Sequence, residues 1–340
     1  MNATQQIDAA TLLWSQLNKV EPKRHWRSQI ITADALQRKT FERAKWIVPD
    51  LIPEGLTLLC GRPKVGKSWA ALDIGLAVAT GGTVFGRLAA TGEVLYAALE
   101  DNQARLQRRI EKLLPDNAVW PAGLSLTTDW ERLNQGGGVH IVEWVQERAP
   151  NARLVILDTL AGVKPISTKE GYTADYASLE ALHKVANELR VGVLVLHHTR
   201  KAEAEDPLDT ISGTLGLAGC ADTALVLAGT AQGMSLYVRG RDIEQAEHAV
   251  NFDKASCRWS ITGTAAEVRM SKTRKTIASV LLDAPNPLGP KAIAIETGLA
   301  VDVVRQRLPK MVEALEVRQV ARGLYTHPEN QEALNAAPPL

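Results

Sequence analysis

The apolar run at residues 56–60 breaks into Gly61-Arg62-Pro63-Lys64-Val65-Gly66-Lys67-Ser68, and residues 67–79 then continue with helical apolar spacing. A buried strand that turns through two glycines into a helix commits this part of the chain to a β-loop-α unit, and so to an α/β fold. The neighbouring sequence follows the same alternation. Short apolar runs predict strands at 56–60, 93–99, 154–158, 191–197, 224–227 and 235–239, with helices at 67–79, 102–114, 139–148 and 176–190. Several of the runs are continuous and β-branched, as strands covered on both faces require, so the central sheet is expected to be largely parallel.

The 340 residues allow one large domain and a smaller one, and 45% apolar with 23% charged residues exclude a disordered or fibrous chain. A net charge of +1 decides nothing about partners, since a basic channel can sit on a neutral molecule. Cys60, Cys220 and Cys257 are too far apart for metal or redox spacing and read as small buried hydrophobes of a reducing compartment. The first residues lack a basic start with a long apolar run, and no stretch has the length of a membrane span, which points to the cytoplasm. The expected divisions are an extension at 1–46, a large α/β domain at 47–263, a small domain at 264–327 and a flexible tail at 328–340.

The loop fits G-x-x-x-x-G-K-[ST] in the strand-to-helix setting that the motif needs. Gly61, Arg62, Pro63, Lys64, Val65, Gly66, Lys67 and Ser68, with Trp69 beside them, are the expected cradle for ATP: backbone N–H groups and the helix N-terminus face the phosphates. Lys67 is expected on the β- and γ-phosphates, and Ser68 on Mg²⁺. Chance supplies such a match on the order of once per hundred chains of this length, before the flanking elements are counted. Asp158 ends a buried apolar strand and is the expected second Mg²⁺ group, acting through water; alone, it would read equally as a strand-terminal Asp capping a loop. Glu100 emerges where the 93–99 strand ends and is expected to activate the attacking water. Its neighbour Asp101 is assigned instead to capping the helix that starts near Asn102. His197 and His198 end another strand. Neighbours on a strand face opposite ways and no other ligand clusters nearby, which argues against a metal pair and for a polar sensor.

Taken together, the phosphate loop, Leu99-Glu100-Asp101, Leu157-Asp158-Thr159, His197-His198-Thr199-Arg200-Lys201, Ser212-Gly213-Thr214 and Val238-Arg239-Gly240-Arg241-Asp242 follow the order of RepA-like hexameric ATPases. The chain from about 45 to 262 resembles that group, within the wider RecA-like class. The resemblance implies a RecA-like core, a ring with ATP between subunits, a neighbour's basic finger on the γ-phosphate, and His198 as the sensor. Some relatives carry an Arg where this chain has Gly219-Cys220-Ala221-Asp222-Thr223. Arg239 and Arg241 are the expected substitutes, placed by their spacing on one face of a strand. The alternative is a surface pairing with Asp242 or Glu244.

Two loops are expected to face a channel for single-stranded DNA: 161–173, with Lys164, Lys169 and Tyr172, and 201–211, whose Glu203, Glu205, Asp206 and Asp209 are awkward for a phosphate backbone. Beyond residue 262 three helices and a terminal hairpin suggest a winged helix, with Ile277, Val280, Leu281, Ile293, Val304, Leu308 and Leu315 forming its apolar face. That piece is expected either to bind DNA or to dock protein. The resemblance implies a homo-oligomeric ring, a hexamer, acting on single-stranded DNA with replication partners such as a primase. The alternatives are a DNA-binding ATPase that does not unwind and an ATP-controlled DNA-binding regulator.

Overall fold

Alternate residues of the central strands enter two different cores. In the strand Ala152–Asp158, Leu154 and Ile156 join one cluster while Val155 and Leu157 join the other; in Gly192–His198, Leu194 and Leu196 part in the same way from Val193 and Val195. Side chains alternate across a strand, so a continuous apolar run is what a sheet buried on both faces demands.

The computed structural model describes residues 3–18, 30–41, 45–166, 172–200, 206–211, 219–230 and 233–336. The chain separates into two compact units, residues 1–262 and 263–340. In the first, α1 (Ala3–Asn18) and α2 (Ala33–Gln37) precede a ribbon of β1 (Trp46–Val48) and β2 (Ile52–Pro53). Then come β3 (Gly55–Gly61), α3 (Lys67–Thr80), a second ribbon of β4 (Thr83–Val84) and β5 (Arg87–Leu88), β6 (Glu93–Ala98), α4 (Gln103–Leu113) and β7 (Leu124–Thr127). They are followed by α5 (Gly137–Arg148), β8 (Ala152–Asp158), α6 (Leu160–Val163), α7 (Tyr172–Leu189), β9 (Gly192–His198), β10 (Thr223–Thr230), β11 (Gly233–Gly240), β12 (Ala246–Asp253) and β13 (Arg258–Thr264).

The main sheet has the order β13-β12-β11-β10-β3-β9-β8-β6-β7. Its strands from β10 to β7 are parallel neighbours, whereas β11 runs antiparallel to both β10 and β12. This is a mixed, largely parallel sheet of RecA-like type. The edge strand β7 was not expected, because Leu124-Ser125-Leu126-Thr127 is short and only partly apolar, as an edge strand is free to be. The N-terminal extension is tied down by α1. Ala10 is buried, and Trp14 lies where α5 has Gly138: a Cβ there would sit 2.1 Å from the indole ring.

The second unit comprises α8 (Ala265–Asp283), α9 (Pro290–Thr297), α10 (Val301–Glu313), β14 (Arg318–Ala321), β15 (Leu324–Thr326) and α11 (Gln331–Asn335). Ile277, Leu281, Ile293, Val304, Leu308 and Met311 form its core. Leu315, expected in this core, is 82% exposed in the turn after α10, and Val317 takes the buried place. The tail expected to fray is held as far as α11. Asn330 caps that helix and donates its amide to the carbonyls of Leu281 and Ala284, a buried polar anchor that composition does not reveal.

Candidate phosphate-loop site

Strand register gathers the predicted residues at one edge. Gly61 lies beside His198 of β9 and Leu227 of β10, and Ala98, two residues before Glu100, lies beside Asp158. These are the C-terminal ends of parallel strands, where α/β sheets place their ligands. The loop itself curls through Lys64 (φ 64°) and Gly66 (φ 102°), both left-handed. That conformation lets successive backbone N–H groups converge on one anion. No Cβ fits at Gly61, where it would meet the Leu227 carbonyl and the Val65 side chain at 2.9 Å.

Lys67 is buried and its Nζ donates to the carbonyls of Gly61 (2.8 Å) and Arg62 (3.1 Å), with His198 Nδ1 at 3.4 Å. Burial lowers its pKa, and the negative charges of Asp158 and Glu100 oppose that shift. The Asp158 carboxyl is buried too. It accepts hydrogen bonds from Ser68 and from the Tyr96 hydroxyl at 2.9 Å, yet burial still raises its pKa. A hydroxyl and an under-compensated carboxylate are a hard, oxygen-only donor set that suits Mg²⁺, whose charge would offset the burial that disfavours the ionised form of Asp158. Adjacent Cys60 takes no part, because burial pushes its thiol up to about 12.

Glu100 points outward with its side chain 62% exposed. Its Oε1 accepts from the Thr159 hydroxyl at 3.1 Å and lies 4.0 Å from His198 Nε2. The arrangement can hold a triphosphate at its β- and γ-groups, place a metal on the Ser68–Asp158 side and present a solvent-facing carboxylate to a water. Asp101 is not the expected cap. Asn102 caps α4 by accepting from Arg105 N at 2.9 Å, while Asp101 is paired with Arg105 and Arg109. Arg109 also stacks over the Trp69 ring at 5.3 Å. Trp69 therefore braces α3 against α4, which explains a residue whose place beside the loop the motif alone does not.

The two candidate finger residues are elsewhere. Gly240 pairs with Thr223, which pairs with Thr57, four residues before Gly61. At about 3.3 Å per residue Arg241 lies roughly 13 Å or more down the strands from the phosphate loop, at the opposite edge of the sheet. The expectation of one shared strand face fails, because β11 ends at Gly240 and Arg241 sits in the bend that follows. Nor do the arginines pair with Asp242 or Glu244. Arg239 binds Asp206 (2.9 Å) and Gln245, while Arg241 binds Asp222 (3.2 Å) and the Gly219 carbonyl (3.0 Å). Arg241 thus reaches back to the segment 219–223 where relatives were expected to carry their own Arg. Lys169, residues 201–205 and residues 212–214 lie outside the described residues, as does the side chain of Tyr172.

Sequence reading missed Tyr96, Thr159 and Trp259. The signal for Tyr96 was a phenol in an otherwise aliphatic buried strand, since a buried hydroxyl needs a partner. Among the described residues no helix is long and apolar enough to cross a membrane.

Residues 22–204 match the family AAA_25, described as an AAA domain. No curated protein matches the chain. Among solved structures it is similar to one described as an ATPase domain, at 14% identity and a TM-score of 0.48, over 61% of this chain and 84% of that one. It is also similar to "The Structure Of A DnaB-Like Replicative Helicase And Its Interactions With Primase", at 15% identity and a TM-score of 0.48, over 61% of this chain and 57% of that one. The chain therefore spans little more than half the length of the second. Because the family match covers more than half of this chain and takes in Lys67, Glu100, Asp158 and His198, the chain belongs to the AAA domain family of P-loop ATPases.

Proposed function

We propose that the protein is a ring-forming, Mg²⁺- and ATP-dependent motor of the RepA-like replicative type, a hexamer that translocates on single-stranded DNA and unwinds duplex. In this reading residues 47–263 are the motor, 264–327 a winged-helix-like domain and 1–46 an extension. The observation that carries it is the position of Arg241. Its side chain is 56% exposed, and it stands at the sheet edge opposite its own phosphate loop. Intramolecular contact with the γ-phosphate is out of its reach, whereas the same residue of an adjacent copy meets no such limit. Head-to-tail contacts of this kind generate a ring where the rotation between copies closes. Lys67 then holds the β- and γ-phosphates, Ser68 and Asp158 the metal, Glu100 the attacking water and His198 the γ-phosphate report, with Arg241, and Arg239 beside it, serving the neighbour. The order of motifs supports DNA as the track and a primase as the kind of partner.

A second reading is an ATPase that assembles on DNA without unwinding it. It is favoured by Asp206 and Asp209, which put carboxylates on a loop the motor would turn toward DNA. The test is ATP turnover with and without single-stranded DNA, together with strand separation of a forked duplex, for the wild type and Lys67→Ala. DNA-stimulated turnover with strand separation, both lost in Lys67→Ala, is the expected result. Stimulation without separation selects the second reading, and turnover indifferent to DNA removes both.

A further inference from the structure

The hairpin between β12 and β13 grips α3 at two points. Asp253 fastens the turn by accepting from the backbone N–H groups of Ala255 and Ser256 and from the Ser256 hydroxyl. Two residues that follow the turn both reach α3 or its neighbour. Arg258 lies 3.0 Å from Asp73 and donates to the Leu113 carbonyl at the end of α4, while Trp259 Nε1 donates to the Gly66 carbonyl at 3.2 Å. Trp259 is only 4% exposed and is backed by the Phe252 ring at 5.0 Å, so it is not a platform for an incoming base. Its ring fills the space beside Gly66, where a Cβ would stand 3.0 Å from Cζ2.

Gly66 is the N-cap of α3, and its carbonyl also accepts from Ala70 N at 3.1 Å. A trans peptide is planar, with its C=O and the following N–H pointing in opposite directions. A donor that holds the Gly66 oxygen on the helix side therefore aims the Lys67 N–H away from the helix, toward the phosphate cradle. We propose that Trp259 is a positioning residue for nucleotide binding: its indole N–H fixes the Gly66–Lys67 peptide plane and so the aim of the loop's backbone donors. None of the sequence motifs includes it, and it lies 193 residues from Gly66 in the chain. The proposal rests on the phosphate-loop reading of residues 61–68.

The test compares Trp259→Phe and replacement of Trp259 by 3-benzothienylalanine, which keeps the bicyclic ring and lacks the N–H, with Phe252→Leu. Loss of one hydrogen bond corresponds to roughly a twofold to tenfold weakening. ATP binding at equilibrium is expected to weaken by that factor in both Trp259 variants, with kcat changed less than about twofold. Phe252→Leu should lower the thermal midpoint and leave ATP affinity alone. Wild-type affinity in the benzothienyl protein overturns the proposal, even where Trp259→Phe fails to fold. Equal loss of affinity in Phe252→Leu also overturns it, by showing a packing effect. No ATP binding by the wild type would strike the phosphate-loop assignment itself, and the proposal with it.

Discussion

The two edges of the parallel strands hold their charges in different ways. Around the phosphate loop and along α3 the ionisable groups are buried faster than they are paired: Lys67 has a lowered pKa, Asp158 a raised one, and Asp73, farther along α3, is raised to about 6. At the opposite edge Asp222 accepts from Leu56 N at 2.9 Å and Arg241 at 3.2 Å, and has His183 at 3.0 Å. Gly55 makes room for it, since a Cβ there would lie 2.5 Å from the carboxylate. One edge keeps charge in reserve for a ligand that brings phosphate and metal. At the other, Asp222 has several partners and the Arg241 side chain is 56% exposed.

The sharpest way to break that contrast is Arg241→Ala. Without a charge on the transferring phosphoryl group of the adjacent copy, turnover should fall about 10³-fold or more, with ATP still bound. Mixing this protein with Lys67→Ala subunits then separates the possibilities. Some interfaces would combine an intact loop from one subunit with an intact finger from the other, so part of the activity should return. Turnover measured across mixing ratios, with mixed assembly confirmed, checks it. No recovery at any ratio would leave Arg241 as part of the self-contained edge and turn attention to Arg239.

Within the loop edge the contrast narrows to two neighbouring carboxylates. Glu100→Gln should retain ATP binding and lose about 10²-fold in hydrolysis, because an amide keeps the shape and takes no proton. Asp101→Asn should act on stability instead. It weakens the hold on Arg105 and Arg109, and through Arg109 the stacking on Trp69 that braces α3. Steady-state turnover and thermal midpoints of the two variants test this; the opposite ranking in turnover would exchange their roles.

The loop edge was legible because a phosphate cradle is contiguous in sequence, and because each remaining group ends a buried apolar run, as Asp158 and Glu100 do. The opposite edge was not. Arg241 was singled out by the Arg-Gly-Arg spacing, but its partners Asp222 and Gly219 are brought to it by strand pairing across some twenty residues, which no local pattern records. Trp259 was equally hidden, since a buried Trp in a short strand reads as core. The helices of the second unit were visible from their period and from Gly298, whereas the Asn330 anchor was lost in a polar tail. Sequence showed chemistry where one segment builds it, and missed it where tertiary contact does.

The smallest effect concerns Asp73, a buried carboxyl farther along α3. Its partner Arg258 is 3.0 Å away but poorly aligned, leaving Oδ1 without a hydrogen bond, and burial raises the carboxyl from 3.8 to about 6. A raised acid pKa means that the folded state holds its proton more tightly than the unfolded state between about pH 4 and 6. Asp73 therefore favours folding at low pH, and that contribution is lost as pH rises through about 6. Asp73→Asn removes the titration and keeps the shape. Relative to the wild type, its unfolding free energy should gain by up to about 3 kcal/mol between pH 4 and 7, most of it below pH 6. Every other titrating group cancels in the difference, so denaturant unfolding of both proteins at four pH values isolates this one. Parallel curves would show that Arg258 compensates Asp73 fully, and the contrast between under-paired charges on the loop side and the well-partnered Asp222 at the opposite edge would then rest on Lys67 and Asp158 alone.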